Sequence, residues 1–345
     1  MSSNNNITLN KSRNQQKFVK FENCLINFVS VFLIVAIFLL IINPKRYLAS
    51  ILAGTNLFYN AVMPSLLPFF FISKILFNFN FFEKITNFIG KPLSKIYKLP
   101  QICGYVFLMS IFCGYPVGAK LIGELYKENA ITSKQAKNMT ALCTTSGPVF
   151  VIGTVGSILF KNTKLGVLIF ISHILSSLIT GFIFNIKKTP QPLENNKINT
   201  TKKAENILSS SVTSTIFSIL TVAVYISVFY MFIDMAYDLK ILGGISYIFE
   251  KIFKIINIDP LFARGIASGF IEMTRGLFEM KNSTNLFLKL VFGSFLVSFG
   301  GLSIIIQSLT FLSETKINAF YFLGVKCIQS LITVILSIVI GLLFI

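Results

Sequence analysis

The stretch GYPVGAKLIGELY, residues 114–126, recurs in outline as GFIEMTRGLFEM at 269–280, so that Gly114 aligns with Gly269, Lys120 with Arg275 and Glu124 with Glu279. Each stretch is followed by a second glycine-marked interruption of an apolar run, TTSGPVF at 144–150 and SFGGLSI at 298–304. Four breaks in two matched pairs imply a chain built as two related halves. Interrupted apolar segments at corresponding positions of two halves are a sequence pointer to a transporter's binding site.

The composition fits that setting. Of the 345 residues 54% are hydrophobic and 13% charged, with mean hydropathy +0.74. A soluble domain carries about 25% charge. Several apolar runs reach the roughly 20 residues needed to cross a hydrocarbon core. The expected class is an all-α polytopic membrane protein with inverted repeats, broken helices and two re-entrant hairpins. The net charge of +18 comes from Lys and Arg set mostly in the short polar gaps between those runs. Positive-inside orientation explains that placement without a nucleic-acid partner. The five cysteines lack CxxC spacing and one histidine, His173, is present, so neither a metal site nor a cofactor is expected. With no HExxH, nucleophile elbow or aspartate pair, catalysis is not expected either.

Basic residues, counted gap by gap, give the organisation. Residues 1–22 form a disordered cytoplasmic tail and 23–43 the first transmembrane helix. A first repeat occupies 51–160, in which 51–77 is a span and FFEKITNFIGKPLSKIYK (81–98) an interfacial amphipathic helix. Lys127, Lys134 and Lys137 stay inside only if 102–126 turns back at Cys113–Pro116 as a hairpin. A linking helix at 165–185 leads to a basic cytoplasmic loop at 186–206, the second repeat at 209–311 (hairpin at 262–280) and a last span at 318–345. The first repeat starts outside and the second inside, which makes them inverted. Lys326, near the start of the last span, is expected to snorkel.

In hydrocarbon, broken helices survive only where they face protein or a wet cavity. Their free N-termini suit an anionic group. The candidate substrate site is therefore Gly114, Tyr115, Pro116, Gly118 and Lys120 with Thr144, Thr145, Ser146 and Gly147 in one half. In the other half it is Gly269, Glu272, Arg275, Gly300, Gly301 and Ser303. Lys120 and Arg275 could hold the two carboxylates of a small diacid, or pair locally with Glu124 and Glu279 four residues on. Glu272 reads as a proton or cation site, or as the neutraliser of Arg275. Asp234 and Asp238 read as solvated.

The elements PSLLPFF (64–70), CGYPVGAKLIGELY (113–126), TSGPVFVIGTVG (145–156) and GFIEMTRG (269–276) resemble the sporulation integral membrane protein YlbJ family, also called SpoVV. That family is grouped with nucleoside-recognition (Gate-domain) membrane proteins, a domain shared with concentrative nucleoside transporters. The resemblance implies the outer forespore membrane and movement of dipicolinic acid by alternating access. It leaves H+ or Na+ open as a coupling ion, and a homo-oligomer open as the assembly. Two other functions fit the residues: a nucleoside-like solute transporter, or a non-transporting membrane scaffold for spore cortex assembly.

Overall fold

The computed structural model describes residues 27, 29–78, 86–185 and 204–345, and every regular element among them is helical. The expected tail 1–22 lies outside the described residues, as do 186–203 of the expected basic loop 186–206, whose last three residues begin a helix, and 79–85 of the expected amphipathic segment. Contacts divide the chain into Met1–Ser50 and Ile51–Ile345. In the first unit the described part is helix α1 (Val29–Ile42) and the start of α2 (Pro44–Leu57).

Helix α2 runs through a π-turn at Phe58–Val62 into α3 (Met63–Asn78). The helix begins at Pro44 rather than at 51, because proline's fixed φ and missing N–H suit the first helical turn. After a π-turn at Thr86–Gly90 and the short α4 (Lys91–Tyr97), two helices of 11 residues follow, α5 (Cys103–Cys113) and α6 (Val117–Lys127). Helix α7 (Ser133–Thr140) is started by a reciprocal cap: the Thr132 hydroxyl accepts from the Gln135 N–H, and the Gln135 side chain accepts from the Thr132 N–H. Thr132→Ala removes half of that box and is expected to cost ~1 kcal/mol, read as a lower melting temperature in detergent.

A non-helical stretch at 141–148 leads to a π-helix at Val149–Leu159, then α8 (Thr163–Asn185). The second half holds α9 (Ala204–Asp238), α10 (Ile241–Ile255), α11 (Pro260–Ile271), α12 (Met273–Met280), α13 (Leu286–Phe299), α14 (Gly301–Phe311) and α15 (Ala319–Phe344). Among the described residues four stretches are long and apolar enough to cross a membrane: Thr163–Asn185, Ile207–Asp238, Leu286–Phe311 and Ala319–Phe344. A fifth is added if Val29–Ile42 and Pro44–Val62 make one span. Helices α8, α13 and α15 pack against one another. Outward faces stay apolar, as at Phe217, Leu220 and Val224 of α9 and Leu331, Ile335 and Val339 of α15. In water such a surface would be an interaction site; here it is a lipid-facing wall. The chain is a multi-pass integral membrane protein.

Both expected hairpins fold back on themselves. A Cβ on Gly276 would stand 2.5 Å from Gly269 Cα and 2.4 Å from the Gly265 carbonyl oxygen, so α11 and α12 run antiparallel in near-backbone contact. Helices α5 and α6 close in the same sense, with Gly118 beside Ser110. Glycines on the facing helices thus bring each pair of half-length helices together about its break.

Candidate functional site

The four breaks meet. Gly114, at φ +75°, ends α5, and a Cβ there would lie 2.4 Å from the Gly147 backbone nitrogen. In the other half Gly301, at φ +76°, opens α14, and its Cβ would lie 2.9 Å from the Gly269 carbonyl oxygen and 3.1 Å from that of Ile271. Both positions need a left-handed backbone and have no room for a side chain, which is why glycine stands at each. Each hairpin tip therefore sits against the broken helix of its own half.

Between the two tips lies a partly open cavity. Gly114, Tyr115, Ser146 and Gly147 line it from one half, and Glu272, Thr274, Ser303 and Gln307 from the other. Val62, Leu66, Phe150, Val222 and Ile226 make the apolar walls. Six residues expected from the sequence are thus brought to one space: Gly114, Tyr115, Ser146, Gly147, Glu272 and Ser303. Gly118, Thr145, Gly269, Gly300 and Gly301 hold the breaks in shape behind it, and Pro116 forms the cis peptide Tyr115–Pro116.

Three helices that start at these breaks have no side-chain cap: α6 at Val117, the π-helix at Val149 and α14 at Gly301. The fourth, α12, is capped by Glu272, whose carboxylate accepts from the Arg275 N–H at 2.9 Å and from the Thr274 hydroxyl. Three tips therefore carry the partial positive charge of a helix start with no side chain to offset it, and one acid occupies the fourth.

The two predicted cations stand apart from the cavity. Lys120 lies in a separate recess, where its Nζ donates to Ser214 Oγ at 2.7 Å and Ser218 Oγ at 2.6 Å. Its expected partner Glu124 instead takes Lys74 Nζ at 3.0 Å. Arg275 does pair with Glu279, Nε to Oε1 at 2.9 Å, and also with Asp234 at 3.3 Å. Asp234 is therefore an ion-pair member on α9 and not a solvated helix end. Thr144 also lies behind the lining, its carbonyl turned to Lys326.

Lys326 corrects the sequence reading most sharply. It does not snorkel; it is 0% exposed. Its Nζ donates to the Tyr115 hydroxyl at 2.5 Å, Thr144 O at 3.1 Å and Gln329 Oε1 at 2.6 Å. Tyr115 OH in turn faces Ser298 O at 3.4 Å. His173, also fully buried, accepts the Ser146 N–H on Nε2 at 2.8 Å and places Nδ1 2.7 Å from Ser298 Oγ. Thr333 bonds both Ser298 and Ser176. This network joins α8, α13 and α15 to the tip residues Tyr115 and Ser146. Gln307 and Tyr225 were likewise missed as lining residues. For Lys326 the signal was present, since an ionisable residue inside a span is a functional candidate by default.

A curated relative is similar to this chain over most of its length. The sporulation integral membrane protein YlbJ of Bacillus subtilis (strain 168) is 27% identical over 297 residues, which cover 80% of this chain and 73% of the relative. The resemblance to the YlbJ family is borne out. No protein-family model matches the chain. No solved structure matches it either. The YlbJ match spans most of the helical framework, and that relative's own description is of a sporulation membrane protein. What the cavity holds must be argued from its lining.

Proposed function

We propose that this protein is a sporulation membrane transporter for a small organic anion, dipicolinate, moved across the outer forespore membrane. The observation that carries the reading is the convergence of four helix breaks, two from each half, on one cavity. A non-helical backbone at membrane depth is tolerated where it lines such a cavity. Three uncapped helix N-termini favour a carboxylate there, in the manner of anion sites at helix starts. On this reading the two halves are inverted repeats, and rocking of one hairpin-bearing half against the other exposes the cavity to each side in turn. The relationship to YlbJ supports the sporulation setting.

A second reading has an observation of its own. The carboxylate of Glu272 and the carboxamide of Gln307 line the same cavity, and these suit an uncharged, hydroxyl-rich solute such as a nucleoside. Uptake of radiolabelled dipicolinate into proteoliposomes decides between the two. Saturable uptake is expected, suppressed by unlabelled dipicolinate and not by uridine, and lost in Ser303→Phe, which fills the cavity. Saturable uptake of radiolabelled uridine, with none of dipicolinate, would establish the second reading. Absence of both activities, with forespore dipicolinate normal in cells carrying Ser303→Phe, would leave the scaffold function.

A further inference from the structure

Lys326 is a buried amine without a counter-ion. Among the described residues no carboxylate pairs with its Nζ. Its three contacts, Tyr115 OH, Thr144 O and Gln329 Oε1, are all neutral. Burying an unpaired ammonium is costly enough that such a group either finds a partner charge or gives up its proton. One side chain, Tyr115, separates Nζ from the cavity: its hydroxyl meets the amine and its body lines the space where a ligand would sit.

We infer that Lys326 is the proton site of the transport cycle: its amine takes up H+ as an anion enters the cavity and returns it as the anion leaves. The inference rests on the anion-transport reading above. Both protonation states fit the same heavy atoms. A neutral amine donates two N–H bonds, to Thr144 O and Gln329 Oε1, and accepts the Tyr115 O–H on its lone pair. An ammonium donates all three, and the Tyr115 hydroxyl hydrogen turns instead toward Ser298 O. The three contacts of Nζ are kept in either state, so the switch breaks none of them.

The neighbouring groups leave this role to Lys326. From α8 the titratable group is His173, whose Nε2 accepts a backbone N–H. Nδ1 must then carry the ring proton and donate to Ser298 Oγ, which fixes the neutral tautomer. From the α5–α6 hairpin the group is Tyr115. Lys164 of α8 and Lys289 of α13 bond the carbonyls of Phe344 and Lys281, away from Tyr115. Helix α14 carries no charged residue. Across the cavity Glu272 is held by its own cap bonds. An anion beside Tyr115 supplies the counter-charge that the ammonium lacks. By linkage, anion and proton then strengthen each other's binding by the same factor.

The test is calorimetric titration of the purified full-length protein with dipicolinate in buffers of different ionisation enthalpy. Wild type is expected to take up about one proton per anion bound. Lys326→Arg, permanently charged, should bind the anion with proton uptake near zero. Lys326→Met, which removes a buried charge, should stay folded and bind at least about tenfold more weakly. Binding by wild type without proton uptake overturns the inference and leaves the transport reading standing. So does wild-type proton uptake persisting in Lys326→Arg, or uptake lost in Glu272→Gln instead. Absence of dipicolinate binding by folded protein removes the anion reading and the inference with it.

Discussion

Gly118→Ala is expected to destabilise the protein by ~3 kcal/mol, the upper end of what overpacking costs, and to abolish uptake. A Cβ built on Gly118 would stand 1.7 Å from the Cys143 carbonyl oxygen and 2.8 Å from Ser110 Oγ. The first of these is backbone, which cannot swing aside as a side-chain end does. The α5–α6 hairpin would have to lift from the 141–148 stretch. Ser110 Oγ then loses Thr145, whose N–H it accepts at 3.0 Å, and Gly114 loses its seat on Gly147. Cys103 and Cys143, with sulfurs 3.5 Å apart inside that contact, should become reactive toward maleimides. Gly324→Ala is the control: nothing lies within 4 Å of its Cβ, so it should gain up to ~1 kcal/mol from helix propensity. Equal denaturant midpoints for Gly118→Ala and wild type would refute the close packing of hairpin and break.

The breaks were legible in the sequence because glycine and proline inside an apolar run signal by chemistry that does not depend on the partner. Gly114, Pro116, Gly147 and Gly300 each mark a break, and all four stand outside the helices that flank it. Partners across the fold were not legible. Glu124 has Lys120 four residues away yet pairs with Lys74, 50 residues earlier. Asp234 reads as the end of a span, but the guanidinium it meets is 41 residues on. Local spacing predicts only the contacts a helix makes with itself. Lys326 failed for a related reason. Helix α15 is apolar almost all round, so periodicity does not say which face carries the lysine inward. The answer came from which helices crowd around it.

Arg275→Ala should cost ~3 kcal/mol of stability, and the loss should be electrostatic in origin. The guanidinium holds Glu279 at 2.9 Å and Asp234 at 3.3 Å, and lies 5.4 Å over the Tyr230 ring. Glu279 also accepts from Ser268, so the arginine ties α9, α11 and α12 together behind the second tip. The three charged side chains are 13–23% exposed, so water offers little screening. Removing one partner of a buried ion pair costs ~3–5 kcal/mol because the other charges stay behind. The lower end applies here, since some exposure remains. Neutralising what is left should therefore repair the damage: Arg275→Ala with Asp234→Asn and Glu279→Gln should recover most of the lost melting temperature. A substrate clamp predicts the opposite pattern. Arg275→Ala would then melt like wild type while uptake fell, and the two neutralising changes would restore nothing. The structure favours repair, because both acids already occupy the guanidinium and Arg275 does not line the cavity.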